Sequence, residues 1–352
     1  MYSLCHRRAA LVPRPVSVGF FEGATLLALI DAKELTPVLS ATQKALEVGL
    51  EQTKRDFLIV FLFAHGYAGI IANNSLRYDE ETIKAKLEQT YRGRLGSTGG
   101  NEMKKLYEKN ELTLSIVWIA SYCVLQSLAN PLNKMIGVEY AVSAVFCILQ
   151  AAVLFSFIRK NDLQKRYGLC KPLLPAWRFL YYVPLVILSS GNLWNGVTCN
   201  YSPLGTVCHI VCMLCVGFLE EVIFRGLLFA AIAKNTVKSA VVISSVTFGV
   251  GHIVNLFNGS GMDLAENLCQ IAFAVVVGFL LVTIFYRGGS LLPCILAHAA
   301  INILSTFAND AGLSAEIYLL HIGILIVFTI AYTLILTKTL PKSRWEGKTV
   351  GG

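Results

Sequence analysis

The sequence predicts an all-α polytopic membrane protein with eight transmembrane helices and a short N-terminal soluble helical segment. Three observations predict it. Hydrophobic residues make up 55% of the 352-residue chain and charged residues 15%, with a mean hydropathy of +0.60, a balance more apolar than soluble domains carry. Apolar runs of about 18 residues or more recur after the first third, each long enough to cross a hydrocarbon core about 30 Å thick. Lys and Arg collect in alternate loops, the bias that orients membrane helices.

Taken in order, residues 1–31 form an irregular N-terminus broken by Pro13, Pro15, Gly19 and Gly23. Residues 32–94 are mixed, charged and periodic, with helical patterns over 36–52, 54–74 and 79–91. The run 57–72 is apolar for only about 16 residues and contains His65, Gly66 and Gly69, which predicts a buried core or interface helix rather than a ninth span. Residues 95–102 have the Gly-Ser-Thr-Gly-Gly composition of a linker, and a second unit, 103–352, begins at Met103-Lys-Lys-Leu-Tyr-Glu-Lys. Within it the expected spans are 112–130, 136–158, 179–197, 204–231, 236–257, 264–286, 290–308 and 315–337.

Loop charge fixes how these spans alternate. Lys104, Lys105 and Lys109 precede the first span, and Arg159, Lys160, Lys165, Arg166, Lys171 and Arg178 follow the second. Lys234 and Lys238 follow the fourth, Arg287 the sixth, and Lys338, Lys342, Arg344 and Lys348 the eighth. The loops near 192–203, 258–266 and 309–316 carry no Lys or Arg. The expectation is a multi-pass protein of a bacterial cell membrane, with both ends of the membrane domain cytoplasmic. Basic loops resting on anionic lipid also account for the net charge of +8, so nucleic acid is not called for as a partner. Most of the ten cysteines fall within spans, where Cys acts as a small apolar residue, so no disulfide framework is expected. Cys208, Cys212 and Cys215 beside His209 form a stripe at helical spacing that packing explains.

Three polar clusters interrupt the apolar runs: Glu220-Glu221-Val-Ile-Phe-Arg225, Phe248-Gly-Val-Gly-His252 and His298-Ala-Ala-Ile-Asn302. A charge near the bilayer centre costs about 2.5 to 3.5 kcal/mol on the lenient scale, so ionisable groups there suggest a functional site. Adjacent helical residues point about 100° apart, which separates the roles of Glu220 and Glu221. Glu221 stands four residues before Arg225 in the favoured order for a helical ion pair. Glu220 is then left as a candidate base facing a polar cavity. His252 shares a face with Phe248 and with Asn255 a turn further on, and His298 shares one with Asn302. Amide hydrolysis needs a base for water, donors for the oxyanion and a proton for the leaving amine. If three spans converge, Glu220 and His252 can activate the water while His298 and Asn302 donate. Glu220, His252 and His298 are also zinc-ligand types, and zinc-bound water has a pKa near 7, so zinc and a metal-free water both stay open. Singly, each element has a plainer reading: a lone intramembrane His or Asn is more often a helix-to-helix hydrogen bonder, and Phe248 a packing residue.

In this order, Glu-Glu-x-x-x-Arg, Phe-x-x-x-His and His-x-x-x-Asn resemble the motifs of the CAAX protease and bacteriocin-processing family of intramembrane proteases, which includes the type II CAAX prenyl endopeptidases. The resemblance covers about 103–340. It implies Glu220 as the water-activating acid supported by Glu221 and Arg225, His252 as its partner, and His298 with Asn302 as oxyanion stabilisers. It also implies a peptide or lipidated-peptide substrate, with membrane lipid as the surrounding partner, and hydrolysis of CAAX-processing or bacteriocin-processing and immunity type. Family members include both metalloproteases and metal-free, glutamate-dependent enzymes. The competing class is a non-enzymatic immunity, scaffold or transport protein that uses the buried polar groups for binding. Residues 32–94 resemble the C-terminal region of TetR-type regulators, chiefly through Phe63-Ala-His-Gly-Tyr-Ala-Gly-Ile-Ile-Ala-Asn-Asn-Ser-Leu-Arg-Tyr-Asp-Glu-Glu81, which implies pairing with such a regulator. Residues 1–31 lack the helix-turn-helix pattern that DNA binding requires.

Overall fold

The computed structural model describes residues 99–253, 255, 264–309, 311, 313–342 and 345. The irregular start, the regulator-like segment 32–94 and the run 57–72 lie outside the described residues. The described residues form helices joined by loops and turns, with one isolated antiparallel bridge between Val197 and Ala308. In order these are α1 (Gly99–Lys109), α2 (Glu111–Ile136), α3 (Ala141–Lys160), α4 (Val183–Ser190), α5 (Pro203–Ile232), α6 (Val237–Val250), α7 (Leu264–Gly288), α8 (Leu292–Leu304) and α9 (Ala315–Thr339). Side chains of Asn110 and Ser202 cap α2 and α5 by accepting the amides of Thr113 and Gly205, satisfying donors that a helix start leaves open.

Helix α1 begins at Gly99, so the last residues of the expected linker 95–102 are helical and the boundary before Met103 falls inside a helix. Leu106 and Tyr107, partly buried, pack this helix against the core, with the Tyr107 ring edge-on to Phe157 at 6.0 Å.

Five helices are long and apolar enough to cross a membrane: α2, α3, α5, α7 and, in α9, Glu316–Thr339. They coincide with five of the eight expected spans. The other three expected spans contain helices that are shorter, of 8, 14 and 13 residues in α4, α6 and α8. Leu180, Tyr181 and Tyr182 adopt left-handed φ of 51°, 51° and 59° just before α4. Helix α6 tightens into a 3-10 turn at Gly251–Ile253, and α8 into another at Ser305–Phe307. The outer faces are apolar, with Met135, Leu296, Val186 and Val327 each at least 67% exposed. A greasy surface of that extent marks contact with lipid, and the protein is a multi-pass membrane protein.

Loop alternation has a spatial counterpart. At one end Glu111 meets Arg166, Tyr167 and Lys234, and Arg287 donates to the Pro341 carbonyl. At the other, Glu139 accepts from Ser202, Asn195 donates to the Asn309 carbonyl, and Asn200 to the Thr306 and Ala308 carbonyls. The loops carrying Arg166, Lys234 and Arg287 thus share one end, and those around Glu139, Asn195, Ser202 and Asn309 the other, where α2 also ends in Lys134. Helix α5 runs between them as the most enclosed element, with every residue from 219 to 233 buried.

Candidate active site

Helix α5 changes character where its charges begin. It is α-helical to Glu220 and π-helical over Glu221–Leu228, a rare geometry that appears mostly as single turns at functional sites. Ser244 of α6 donates to the Phe224 carbonyl at 2.9 Å within that stretch. Arg225 donates to Glu221 Oε1 at 2.9 Å, and both side chains are fully buried. The acid-first ion pair expected from the spacing is therefore present. The guanidinium also lies 3.9 Å above the Phe248 ring. Such a stack attracts a cation to the ring face, so Phe248 does more than fill space.

His298 joins the two carboxylates. Its Nδ1 donates to Glu221 Oε1 at 2.8 Å, and its Nε2 lies 3.6 Å from Glu220 Oε2. The other Glu220 oxygen, Oε1, accepts the Tyr122 hydroxyl of α2 at 2.7 Å. Glu220, Glu221, Arg225 and His298 thus form one paired set, the arrangement buried ionisable groups require in a medium where an uncompensated ion costs several kcal/mol. The backbone contact behind this arrangement is close: a Cβ on Gly217 would lie 2.8 Å from the Ala299 amide nitrogen. Only glycine lets α5 approach α8 so nearly.

His252 sits in the 3-10 turn after α6. Its Nδ1 is 3.1 Å from the Phe248 carbonyl, which can only accept, so Nδ1 carries a proton and the neutral ring presents a lone pair at Nε2. Asn267 of α7 donates to the His252 carbonyl at 3.0 Å and holds the turn in place. Phe248 is edge-on to both imidazoles, at 5.2 Å from His252 and 5.5 Å from His298. Asn302, one turn beyond His298, is buried, and no described residue hydrogen-bonds its carboxamide. Asn255 turns instead to Gln270, donating at 2.9 Å.

The structure thus brings Glu220, Glu221, Arg225, Phe248 and His298 into one contact set, joins His252 through Phe248, and leaves Asn302 on the His298 face. Among the described residues no three His, Cys, Asp or Glu side chains are grouped to hold a metal; of the zinc candidates, Glu220 Oε2 and His298 Nε2, the atoms left by the Tyr122 and Glu221 bonds, lie 3.6 Å apart. The cysteine stripe does not gather either: Cys212 Sγ faces Cys147 Sγ at 3.8 Å, while His209 Nδ1 meets Thr306 Oγ1 at 2.9 Å. Tyr122, Ser244 and Asn267 escaped the sequence reading. The one available signal was a polar atom within an apolar run.

Residues 203–304 match the family described as Type II CAAX prenyl endopeptidase Rce1-like. The match runs from the first residue of α5 to the last of α8 and includes Glu220, Glu221, Arg225, His252, His298 and Asn302. Over this segment the family recognised from the three motifs is the family matched. No curated protein and no solved structure matches the chain.

Proposed function

We propose that the chain is an intramembrane endopeptidase that hydrolyses a peptide bond of a prenylated CAAX-type substrate, with Glu220 as the base. The observation that carries the reading is the opposed chemistry of the two imidazoles: His252 presents an Nε2 lone pair, while His298 is held by Glu221 with Nε2 toward Glu220. A water between Glu220 and His252 gives one proton to the carboxylate and points its other O–H at His252 Nε2. Its oxygen bonds to the scissile carbonyl carbon as the C=O π pair moves onto oxygen. Protonated His298, through Nε2–H, and the Asn302 amide donate to that oxyanion, where fixed donors in a water-poor site are worth most. Collapse reforms C=O and breaks C–N as Glu220 returns its proton to the leaving nitrogen. Glu221, itself bound by Arg225, keeps His298 Nδ1 occupied and the ring aimed. No step passes through a metal. The basic end faces the cytoplasm in this reading, and all eight apolar segments count as membrane helices, the three short ones included.

The test is cleavage of a farnesylated peptide ending in a CAAX sequence by the purified protein in proteoliposomes. Glu220→Gln and His252→Ala should each lower turnover by about 10²–10⁴-fold, the usual worth of acid–base catalysis, with membrane insertion unchanged. A bacteriocin precursor offered in parallel tests the other family substrate class. Near-normal cleavage by Glu220→Gln overturns the assignment and returns the non-enzymatic class to favour.

A further inference from the structure

We infer that Tyr122 is a positioning residue for the Glu220 carboxylate, fixing which of its oxygens takes the proton from water. For its kinetic consequence this rests on the endopeptidase reading above. Tyr122 belongs to α2, outside the matched segment 203–304. Its hydroxyl donates to Glu220 Oε1 at 2.7 Å, between residues 98 apart in sequence, and both side chains are largely buried.

The terminal torsion of a Glu side chain is broad and roughly two-fold, so an unheld carboxylate exchanges its oxygens freely. Tyr122 removes that freedom. Oε1 is committed to the phenol, and Oε2 is the oxygen 3.6 Å from His298 Nε2. The bond also survives the reaction. Once Oε2 carries a proton, Oε1 is a carbonyl oxygen and still accepts from the phenol. The proton therefore stays on the His298 side, from which it returns to the leaving nitrogen. A buried carboxylate needs a partner whether or not it reacts, and other hydrogen-bonding side chains would satisfy that need. What the phenol adds is a donor from a separate helix, aimed at the oxygen away from His298.

The bond is read spectroscopically and its purpose kinetically. At acid pH the protonated Glu220 side chain gives an infrared C=O band, identified by its absence in Glu220→Gln. In Tyr122→Phe that band should move to higher wavenumber, because the carbonyl oxygen loses its donor. On the farnesylated CAAX peptide, kcat should fall about 10- to 100-fold, the scale of a small misplacement of a reacting group, with KM unchanged. Should Tyr122→Phe fail to accumulate, replacement of tyrosine by 3-fluorotyrosine, a stronger donor, must lower the same band. An unmoved band overturns the inference, as does a moved band with wild-type kcat. If the wild-type protein leaves the peptide whole, the endopeptidase reading falls, and the band alone decides whether Tyr122 holds Glu220.

Discussion

Replacing Gly217 by Ala tests whether the approach of α5 to α8 is what assembles the site. The added Cβ would sit 2.8 Å from the Ala299 nitrogen and 2.9 Å from its Cα. Ordinary carbon contacts begin near ~3.5 Å, so the helices must part by roughly 0.7 Å, and the obstructing atoms are backbone that no rotamer change can move. Ala299 follows His298 directly, and Glu221 lies one turn beyond Gly217. A displacement of that size would stretch the His298–Glu221 hydrogen bond from 2.8 Å to roughly 3.5 Å, beyond useful range. Overpacking of this kind costs about 1–3 kcal/mol, whereas Gly→Ala in an unobstructed helix gains about 1 kcal/mol, so the sign of the stability change is itself diagnostic. The kcat for the farnesylated CAAX peptide in proteoliposomes should fall about 10- to 100-fold, with a lower Tm in detergent. Gly323→Ala, inside α9 where an added Cβ meets nothing within 4 Å, is the control and should leave kcat unchanged while raising Tm by the worth of about 1 kcal/mol. A Gly217→Ala protein with wild-type kcat and a raised Tm would refute the reasoning.

Arg225→Met should lower Tm sharply, because it removes the fully buried cation from Glu221 and leaves that carboxylate only the His298 bond, at a cost of up to about 3–5 kcal/mol. Adding Glu221→Gln removes the stranded charge, so the double variant should recover most of the Tm while staying inactive, since His298 loses its carboxylate. A double variant as unstable as Arg225→Met would break the charge argument. Orientation is open to chemical labelling. Cys199 is exposed at the end opposite the basic loops, and Cys170 lies among those loops. A membrane-impermeant maleimide added to intact cells should label Cys199 and not Cys170, as checked by Cys199→Ser; the reverse pattern would invert the proposed topology.

The clusters at 220–225, 248–252 and 298–302 were legible because charge and imidazole within apolar helices are costly enough to demand a reason, and because a four-residue offset places partners on one face. The five long helices were legible for a related reason: hydropathy reports residue type along a run. It does not report the backbone, so the left-handed residues 180–182, the 3-10 turn that carries His252 and the π-helical stretch of α5 left no trace in it. Contacts between distant elements were equally silent. Tyr122 costs little in the middle of an apolar helix and so raised no question, yet it holds the proposed base. Phe248 read as packing because its partner, the Arg225 guanidinium, reaches its face from another helix. The change with most chemical weight concerns His298. Its place on the Asn302 face suggested an oxyanion donor or a zinc ligand; with Nδ1 given to Glu221, Nε2 is left as its one group for the proposed reaction. In the proposed mechanism, donation to the oxyanion and electrostatic balance against Glu220 then fall to the same atom: Nε2–H faces Glu220 before water is deprotonated and turns to the oxyanion once Glu220 has taken the proton.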